Sequence, residues 1–413
     1  MVKQKVILLL ILPLILSGCI ISKKKENTVT VNSGGIYRSA DVGKTWQHTT
    51  QIYTVGATQA DFNTANITTL ALDNRDVAAI YVGTQAKGIF YSYDYGKGWF
   101  NTLTGQGVVN DIAVDSKYNC TIFAAVHNTI YKSIDCSRTW EPTYFETRSG
   151  QFITALAIDK NDSRFVFAGT VEGSFLISED YGYSWDVIKR FDKRINDIII
   201  QDHTNSNILY VATEDTGVFK TSDRGKNWED LMLIDVDEAE VDEEALYQEA
   251  VVELRQKNKI DEMSEEEYNE FINSSKFKKY EDGMIYLEEN KYKPFKKISG
   301  SGTSFALSQD QSKPDAIIYA NKVGIFRLTV GQDEMWQQIK LLTPEKKENI
   351  HSLIVNKQDG NEIFYGTAKA IYHSVDNGEN WSISELPTAY TAKVLQFSLD
   401  NKFLYLGAYN IAK

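Results

Sequence analysis

Proline, cysteine and histidine are scarce in this chain of 413 residues, which contains 6 Pro, 3 Cys and 5 His. So little proline excludes a Pro-rich stalk, and the glycines form no phosphate-binding loop. None of the histidines has the spacing of a metal site. They are His48, His127, His203, His351 and His373. We therefore expect neither a metal centre nor a cofactor.

Basic residues are also outnumbered by acidic ones, which gives a formal net charge of −12. An acidic protein gains no counterion release from phosphates, so we expect no nucleic-acid partner. The length and a hydrophobic content of 42% suffice for one large all-β domain. Aromatic residues make up 12% of the chain, and its 23 tyrosines favour strands over helices.

No apolar run is long enough to cross a bilayer comfortably. The longest, Val6–Leu16, follows Lys3 and Lys5 and leads into Leu16-Ser17-Gly18-Cys19. This segment resembles a bacterial lipobox, which implies cleavage after Gly18 and lipidation of Cys19. The alternative is an ordinary signal peptide with a stray cysteine.

The lipobox resemblance predicts three parts of the chain. Residues 1–18 would be a lipoprotein signal peptide, residues 19–32 a lipidated tether, and residues 33–413 the folded domain. It also implies a membrane lipoprotein of the cell envelope that faces the extracytoplasmic side.

A repeated octapeptide is the dominant signal in the sequence. Six segments share the pattern S-x-D-x-G-x-[ST]-W, with some departures. They are Ser39–Trp46, Ser92–Trp99, Ser133–Trp140, Ser178–Trp185, Thr221–Trp228 and Ser374–Trp381. A worn seventh copy ends at Trp336, so each of the 7 tryptophans closes a repeat.

Four short β-rich runs accompany each complete repeat. The first five aspartates of the repeats are 53, 41, 45 and 43 residues apart, which is the period of a four-stranded propeller blade. The whole pattern recurs from Ile67, Val109, Ile153, Ile195, Thr303 and Ile350.

The two ends of the domain complement each other. Gly35–Thr50 has only the last two strands of a blade, and Val394–Tyr409 has only the first two. The sequence therefore predicts an all-β fold, a β-propeller of about seven four-stranded blades, closed by one blade that the termini share.

The repeated octapeptide has a local structural reason. Its aspartate can accept backbone N–H groups of its own turn, its glycine tolerates a positive φ, and its tryptophan buries a large apolar area. The alternative, a catalytic or metal-binding aspartate, is the weaker interpretation. The residues assigned a structural role are Asp41, Trp46, Asp94, Trp99, Asp135, Trp140, Asp180, Trp185, Asp223, Trp228, Asp376 and Trp381.

Two cysteines remain, and they lie in one predicted blade. We expect Cys120 to begin its second strand and Cys136 to end its third. A three-residue loop centred on Asn128 would place them opposite each other, within reach of a disulfide. The alternative is two free cysteines that face different sides of the sheet.

An insertion at about residues 233–297 interrupts the repeats. Glu229–Lys297 contains 21 acidic and 10 basic residues, and its first half is rich in helix formers. Ser264 and Glu267 fit a capping box. Gly283–Phe295 has the pattern of a hairpin, which would hint at an eighth, incomplete blade. We hypothesise that the insertion overhangs the binding face; the alternative is a solvated decoration.

The octapeptide is the Asp box, or bacterial neuraminidase repeat. With one propeller and an exported N-terminus, the chain resembles the photosystem II stability/assembly factor family and sortilin-type propellers. The resemblance implies a non-catalytic scaffold that binds a protein or peptide. The photosystem family carries an arginine cluster, whereas arginines here are scattered. They are Arg38, Arg75, Arg138, Arg148, Arg164, Arg190, Arg194, Arg224, Arg327 and, in the insertion, Arg255.

Two enzyme families also carry Asp boxes and supply the alternative function. Sialidases have an early Tyr/Phe-Arg-Ile-Pro motif, but this chain has Tyr37-Arg38-Ser39, and Arg327 also lacks the following Ile-Pro. Glycosidases of the xyloglucanase type use paired carboxylates between two propellers, and one propeller leaves no second wall. A carbohydrate ligand stays the alternative to a protein or peptide.

We therefore predict a membrane-anchored, non-catalytic cell-envelope propeller, with an assembly or stability factor for a membrane complex as the specific hypothesis. Its ligand would contact the loops between second and third strands. The candidate binding face comprises Lys87, Glu172, Glu214, Asp215, Lys322 and Lys369.

Overall fold

The computed structural model describes most of the domain and part of the insertion. The described residues are 33–54, 60–201, 206–214, 216–232, 251–252, 255–256, 258–274, 276–277, 280, 304–310, 316–321, 324–329, 336–342, 349–356 and 358–411. They contain seven four-stranded antiparallel sheets and one two-stranded hairpin. The signal peptide, the tether and Cys19 lie outside the described residues.

Six blades are each built from consecutive strands, with the first strand innermost. Blade 1 comprises β5 (Ile67–Asp73), β6 (Asp76–Thr84), β7 (Ile89–Ser92) and β8 (Phe100–Thr102). Blade 2 comprises β9 (Val109–Val114), β10 (Ile122–Val126), β11 (Thr129–Ser133) and β12 (Glu141–Phe145). Blade 3 comprises β13 (Ile153–Ile158), β14 (Val166–Thr170), β15 (Ser174–Ser178) and β16 (Asp186–Arg190).

Blades 4 to 6 repeat this plan. Blade 4 comprises β17 (Ile195–Ile200), β18 (Leu209–Thr213), β19 (Gly217–Thr221) and β20 (Glu229–Asp230). Blade 5 comprises β21 (Ser304–Asp310), β22 (Ala316–Asn321), β23 (Ile325–Thr329) and β24 (Gln337–Ile339). Blade 6 comprises β25 (Ser352–Val355), β26 (Ile363–Gly366), β27 (Ala370–Ser374) and β28 (Ser382–Glu385).

The seventh blade joins the two ends of the domain, as predicted. Its strand order is β2 (Gln47–His48), β1 (Gly35–Ser39), β30 (Leu404–Tyr409) and β29 (Thr391–Phe397). Ile36 pairs with Gly407 and Arg38 with Tyr405 across the junction. Because each innermost strand also contacts that of the next blade all the way round, the ring is closed.

The hydrophobic core lies between blades rather than within them, and small residues in the second strands allow the close approach. A Cβ at Gly169 would lie 2.4 Å from the Cγ2 of Ile195, the first strand residue of the next blade. Gly83 and Gly407 face Val109 and Ile67 in the same way. The repeated Val/Ala-Gly-Thr and Leu-Gly-Ala segments therefore mark where blades touch.

The innermost strands share a feature that the sequence analysis missed, a β-bulge near the start of the strand. Six blades skip one residue in the pairing of their first and second strands at this place. The residues skipped are Thr68, Asn110, Thr154, Asn196, Phe305 and Lys393. By register, His351 precedes the equivalent pair, Ser352 and Gly366, in blade 6. A bulge bends and twists its strand, which suits a ring of radiating sheets.

Strand direction divides the molecule into two faces. The turns between first and second strands and the Asp boxes lie at one end, which we call the box face. The turns between second and third strands and the connections between blades lie at the other end, the upper face. The two-stranded hairpin, β3 (Gln51–Ile52) with β4 (Ala60–Asp61), was not predicted and lies in the connection from the seventh blade to blade 1.

The insertion connects β20 to β21, which places its two ends on the upper face. Its described part contains a 3-10 helix, Ile260–Glu262, and helix α1, Glu265–Ile272. The predicted capping box is confirmed, since Ser264 and Glu267 bond reciprocally at the start of α1. Gly283–Phe295, the proposed hairpin, lies outside the described residues. No helix within the described residues is both long and apolar enough to cross a membrane.

Candidate functional site

The Asp boxes use their carboxylates inside their own turns. In the first box, Asp41 Oδ1 accepts the Thr45 backbone N–H at 2.8 Å, and Oδ2 accepts the Thr45 hydroxyl at 2.6 Å. The Ser39 hydroxyl donates to Asp41 Oδ1 and accepts the Gly43 N–H, both at 2.8 Å. The same pattern recurs around Asp135, Asp180, Asp223 and Asp376.

These hydrogen bonds stabilise the charged form of the carboxylates. Bonds from the side chain and backbone of Thr45 and from the side chain of Ser39 lower the pKa of Asp41 to about 2. Bonds from the backbone of Asn227 and the side chain of Thr221 lower the pKa of Asp223 to about 2. A carboxylate held ionised on the box face is unsuited to general acid catalysis at neutral pH. The geometry supports the structural interpretation of these aspartates.

One box departs from the pattern, and a distant tyrosine compensates. Gly98 stands where the other boxes have Thr, Ser or Asn, so it has no side chain to donate to Asp94. The Tyr53 hydroxyl donates to Asp94 Oδ2 at 2.5 Å instead. Tyr53 occupies the space next to Gly98, where a Cβ would lie 2.2 Å from the tyrosine ring.

The indole N–H groups of Trp185 and Trp228 bond within their own boxes, whereas those of several other tryptophans connect neighbouring blades. Trp99 is completely buried, whereas the other six are only partly buried. The indole N–H of Trp99 donates to the Thr49 carbonyl, that of Trp336 to Leu231, and that of Trp381 to Lys340. Each acceptor lies at the outer edge of the preceding blade.

Cys120 and Cys136 are joined by a disulfide, with their Cα atoms 3.9 Å apart. The predicted register was wrong, because Val126 pairs with Thr129 and only two residues form the turn. Both cysteines lie outside the strands: Cys120 precedes β10, and Cys136 lies in the Asp box. They meet because the box turn bonds to the turn between first and second strands.

This contact between turns is a property of the repeat. The Cys136 N–H donates to the Cys120 carbonyl at 3.2 Å. The equivalent backbone hydrogen bonds of four other blades run from Tyr95 to Ala78, from Tyr181 to Arg164, from Arg224 to Asn207 and from Asn377 to Asn361. In blade 2 the disulfide therefore reinforces this backbone hydrogen bond, whereas four other blades make the same hydrogen bond without a covalent link.

Four residues of the candidate binding face lie in turns between second and third strands. Lys87 and Lys369 are exposed, and Glu214 is half-buried. The Lys87 ammonium donates to the Thr64 hydroxyl at 2.8 Å. Glu172 lies between β14 and β15. Asp215 and Lys322 lie outside the described residues.

Arg194, Glu214 and Lys393 are three charged residues at the upper face, and we call this group the channel mouth. Glu214 was predicted for the binding face, whereas Arg194 and Lys393 were missed by the sequence analysis. Arg194 directly precedes β17, and its Nε donates to Asn196 Oδ1 at 3.1 Å. Desolvation lowers the pKa of Arg194, and the nearby charge of Glu214 opposes this. The signal was available in the repeat alignment, because Lys393 occupies a position that is Thr or Asn in blades 1 to 4.

Lys393 is solvent-exposed and yet surrounded by protein. Its pKa is lowered, first by desolvation and then by the positive charge of Arg194. Blade 4 and the seventh blade lie three blades apart in a ring of seven, so Arg194 and Lys393 belong to opposite sides of the ring.

One more titratable group, Asp111, is partly buried in the innermost strand of blade 2. Asp111 Oδ2 accepts the Leu156 N–H of the next blade at 2.8 Å, and Oδ1 accepts the Ile112 N–H at 2.8 Å. Desolvation nevertheless raises its pKa to about 6. Asp111 connects two blades, and no group able to hold a metal ion is found among the described residues.

The sequence matches the family model for the photosynthesis system II assembly factor YCF48 over residues 99–409. No curated protein matches it.

Solved structures with a similar fold include YCF48 and GH74 enzymes. A structure of YCF48 bound to D1 peptide is 12% identical, with a TM-score of 0.52, covering 85% of this chain and 94% of that one. YCF48 from Cyanidioschyzon merolae is 9% identical, with a TM-score of 0.54, covering 83% and 95%. The GH74 xyloglucanase from Xanthomonas campestris is 13% identical, with a TM-score of 0.58, covering 84% of this chain but 51% of the enzyme. The chain therefore spans about half the length of that xyloglucanase.

Proposed function

Because this chain belongs to the photosystem II assembly factor YCF48 family, we propose that it is an exported, membrane-anchored and non-catalytic propeller that binds a protein or peptide partner. The observation that carries the proposal is the structure of YCF48 with a bound D1 peptide, which aligns with 85% of this chain. We propose the partner by class only, because the arginines of this chain are scattered over the blades.

The upper face is the proposed binding surface. It carries the exposed Lys87 and Lys369, the channel mouth and the two ends of the insertion. On the box face, the carboxylates of the Asp boxes are already occupied by their own turns. Loops held by a rigid ring are suited to recognition, because the scaffold fixes their relative positions.

Site-specific photo-crosslinking would test this assignment. A photoreactive amino acid replaces Lys369 or Glu172 on the upper face, with Tyr183, an exposed residue of a box turn, as the matched control. We expect the upper-face variants to capture a protein from the membranes of the source cells, and the Tyr183 variant to capture none. Equal capture from both faces, or recovery of a glycan instead of a protein, would contradict the proposal.

Export and anchoring rest on the N-terminal segment and gain support from the disulfide. A bond between Cys120 and Cys136 suits an oxidising compartment outside the cytoplasm. Labelling with radioactive palmitate tests the anchor: we expect incorporation in the natural chain and none in Cys19→Ser. Label that persists in Cys19→Ser would refute lipidation at this residue.

The insertion is proposed to contribute to partner binding, because it leaves blade 4 on the upper face. A chain without residues 235–296 should still fold, since the insertion lies between two complete blades. We expect weaker capture of the partner in the crosslinking experiment. Unchanged capture by the folded deletion variant would show that the insertion does not contribute to partner binding.

A glycosidase of the xyloglucanase type is the second candidate, because the GH74 structures share the fold. At 13% and 12% identity, this likeness concerns the fold alone. Release of reducing sugar from xyloglucan, or cleavage of a fluorogenic sialoside for the sialidase alternative, would favour an enzyme. We expect neither reaction.

A further inference from the structure

A cavity of about 390 Å³ opens on the box face between blades 2 and 3. Tyr118 and Tyr183 are exposed, and the ring of Tyr118 meets that of Tyr181 edge to face, with the centroids 5.8 Å apart. The residues that line the cavity include Asp115, Tyr118, Thr121, Lys132, Tyr181 and Tyr183. The cavity therefore has aromatic and charged walls, and it lies on the opposite side of the ring from the proposed protein-binding surface.

The equivalent place between blades 3 and 4 is covered by two large side chains. The backbone identifies the equivalent residues, because the Asp115 N–H donates to the Thr121 carbonyl at 2.9 Å and the Asp159 N–H to the Phe165 carbonyl at 3.0 Å. The guanidinium of Arg224 lies 3.8 Å from the centroid of the Phe165 ring. Its Nη2 lies 3.4 Å from Asp159 Oδ2. An arginine and a phenylalanine thus cover the aspartate of blade 3.

Between blades 2 and 3 both covering residues are different. Thr121 stands where blade 3 has Phe165, so a small side chain replaces an aromatic ring. Tyr181 is the fourth residue of its Asp box, as Arg224 is of the next box, so no guanidinium reaches back to the preceding blade. The two replacements explain why the cavity opens here.

Asp115 keeps one carboxylate oxygen for a ligand. Its Oδ1 accepts the backbone N–H groups of Lys117 and Tyr118 at 2.7 and 3.1 Å and the Ser163 hydroxyl at 2.8 Å. Its Oδ2 accepts no hydrogen bond from the residues that the structure describes. Asp115 is only 3% exposed, and a buried carboxylate oxygen without a donor is unfavourable until a ligand or water supplies one.

Lys132 brings donors to the same cavity. It is 9% exposed, its Nζ donates to the Tyr181 carbonyl at 2.8 Å, and Nζ lies 4.2 Å from the centroid of the Tyr183 ring. An ammonium has three N–H groups, so two remain beyond the one that Tyr181 accepts. Desolvation lowers the pKa of Lys132, and the carboxylate of Asp115 is the first of the charges that oppose this. A free acceptor and free donors therefore face one cavity.

Opposite charges on the two buried groups select a neutral, hydroxylated ligand. A cation would be repelled by Lys132, and an anion would be repelled by Asp115. A hydroxyl group can donate to the carboxylate and accept from the ammonium. The tyrosine rings add apolar surface for a C–H face of the ligand. A pyranose ring combines several hydroxyls with such a face, and the volume of the cavity lies within the range of small-molecule sites.

We propose that this cavity binds one neutral saccharide unit, with hydroxyls that bridge Asp115 and Lys132 and an apolar face against the tyrosines. The site is additional to the proposed function, because it lies on the box face and not on the upper face. Cys120 lies between Asn119 and Thr121, so the disulfide with Cys136 fixes one wall of the cavity before the ligand arrives. Because the ligand is a saccharide, Tyr183 remains the control for protein capture.

Saturation-transfer NMR tests the proposal on the full-length protein, purified in a detergent that has no sugar headgroup. The probes are the methyl glycosides of glucose, galactose, mannose and N-acetylglucosamine, with leucine as a zwitterionic comparison. We expect saturable transfer to at least one glycoside and none to leucine.

Two variants change the cavity in different ways. Asp115→Asn replaces the free acceptor Oδ2 by an amide donor and keeps Oδ1 for its three hydrogen bonds, and it should weaken glycoside binding about tenfold. Thr121→Phe introduces the residue that blade 3 has at this position and should abolish binding by filling the cavity. Asp159→Asn is the matched control, because it makes the same change where Arg224 already lies against Oδ2. It should leave binding unchanged, and thermal unfolding verifies that all three variants fold.

The outcomes separate this site from the proposed function. Transfer to none of the four glycosides, or to leucine alone, would overturn the saccharide site. Glycoside binding that is equally strong in the natural chain and in both cavity variants would place the sugar elsewhere and also overturn it. Each of these results leaves protein capture by the upper face unaffected.

Discussion

Two consecutive residues of each of the six Asp boxes that the structure describes adopt a left-handed backbone, and usually only the second of them is glycine. The fourth box position has a φ of 61° at Val42, 61° at Tyr95 and 63° at Tyr181. At the fifth position, Gly43 has a φ of 82° and Gly182 one of 84°, but Ser137 stands there in blade 2 with a φ of 65°. For residues with a Cβ, this conformation costs about 1 kcal/mol. The hydrogen bonds to the box aspartate and serine offset that cost.

Ser137→Gly should stabilise the protein by about 1 kcal/mol, because glycine adopts this backbone without strain. The Ser137 hydroxyl is also buried and finds no partner among the described residues, which adds a desolvation cost. Urea unfolding under non-reducing conditions measures the change. Ser137→Ala separates the two contributions, since it removes the hydroxyl and keeps the strain. A lower stability of Ser137→Gly than of Ser137→Ala would contradict the argument.

The box carboxylates should make stability depend on pH at the acid end. The pKa of Asp223 is about 2 in the folded protein against an ordinary 3.8, so its hydrogen bonds stabilise the fold above that ordinary value. This contribution is lost as the pH falls from about 4 to about 2. The stability gap between the natural chain and Asp223→Asn should therefore be largest at neutral pH and shrink over that interval. Urea midpoints across the range measure it, with the exposed Asp186→Asn as control; a gap that stays constant would be inconsistent with the lowered pKa.

Asp111 should make stability depend on pH in the opposite direction. Its pKa is raised to about 6, so the folded protein holds a proton that the unfolded chain releases above about pH 4. This group therefore lowers stability as the pH rises from about 4 to about 6. NMR titration of the Asp111 carboxyl should give a midpoint near 6, whereas a midpoint below 4 would show that its hydrogen bonds outweigh desolvation.

At the scale of elements, contact between blades depends on the second strand. Gly169 packs against Ile195 of the next blade, and Gly366 packs against Ala392. The box face adds polar connections between neighbouring blades: Ser163 donates to Asp115 at 2.8 Å, and Arg224 lies 3.4 Å from Asp159. Apolar contact in the middle of the blades and hydrogen bonds at one end thus fix the angle between adjacent sheets.

Gly169→Val should destabilise the protein by about 3 kcal/mol, because its side chain would overlap Ile195. Ile195→Ala removes the Cγ2 atom at 2.4 Å but keeps the Cβ at 2.6 Å, so it relieves the overlap in part, and on its own it leaves a cavity. The double variant should be more stable than the sum of the two single changes implies, which a double-mutant cycle of urea unfolding measures. Strict additivity would mean that the two side chains do not meet.

The elements that follow from local chemistry were predictable, and those that depend on neighbouring blades were not. The Asp boxes and the capping box at Ser264 depend on residues a few positions apart, so both motifs can be recognised from the sequence alone. The disulfide register was wrong by one, because the turn after Val126 has two residues and not three. Lys393 was missed because a bulge residue looks, within one blade, like any residue of an alternating strand, and only comparison of the repeats sets it apart.

At the scale of the whole molecule, one shared blade closes the ring. The chain ends lie on adjacent antiparallel strands, with Gly35 paired to Ala408. Neither β1 nor β30 can complete a sheet without the other, so the ends stabilise each other and both neighbouring blades. The channel mouth depends on the same closure, because Lys393 belongs to the seventh blade and Arg194 to the opposite side of the ring.

Removal of the last shared strands should therefore unfold more than one blade. A chain that ends at Glu385 leaves β1 and β2 paired only with each other, and it exposes the faces of blades 1 and 6. We expect loss of the cooperative thermal transition, with aggregation from the uncovered edges. A circular permutant serves as the control: a short linker joins Ile411 to Ser33, and new ends open between blades 4 and 5. It keeps all seven sheets and should unfold cooperatively, as followed by circular dichroism and light scattering. A truncated chain that melts like the permutant would show that the shared blade is dispensable for closure.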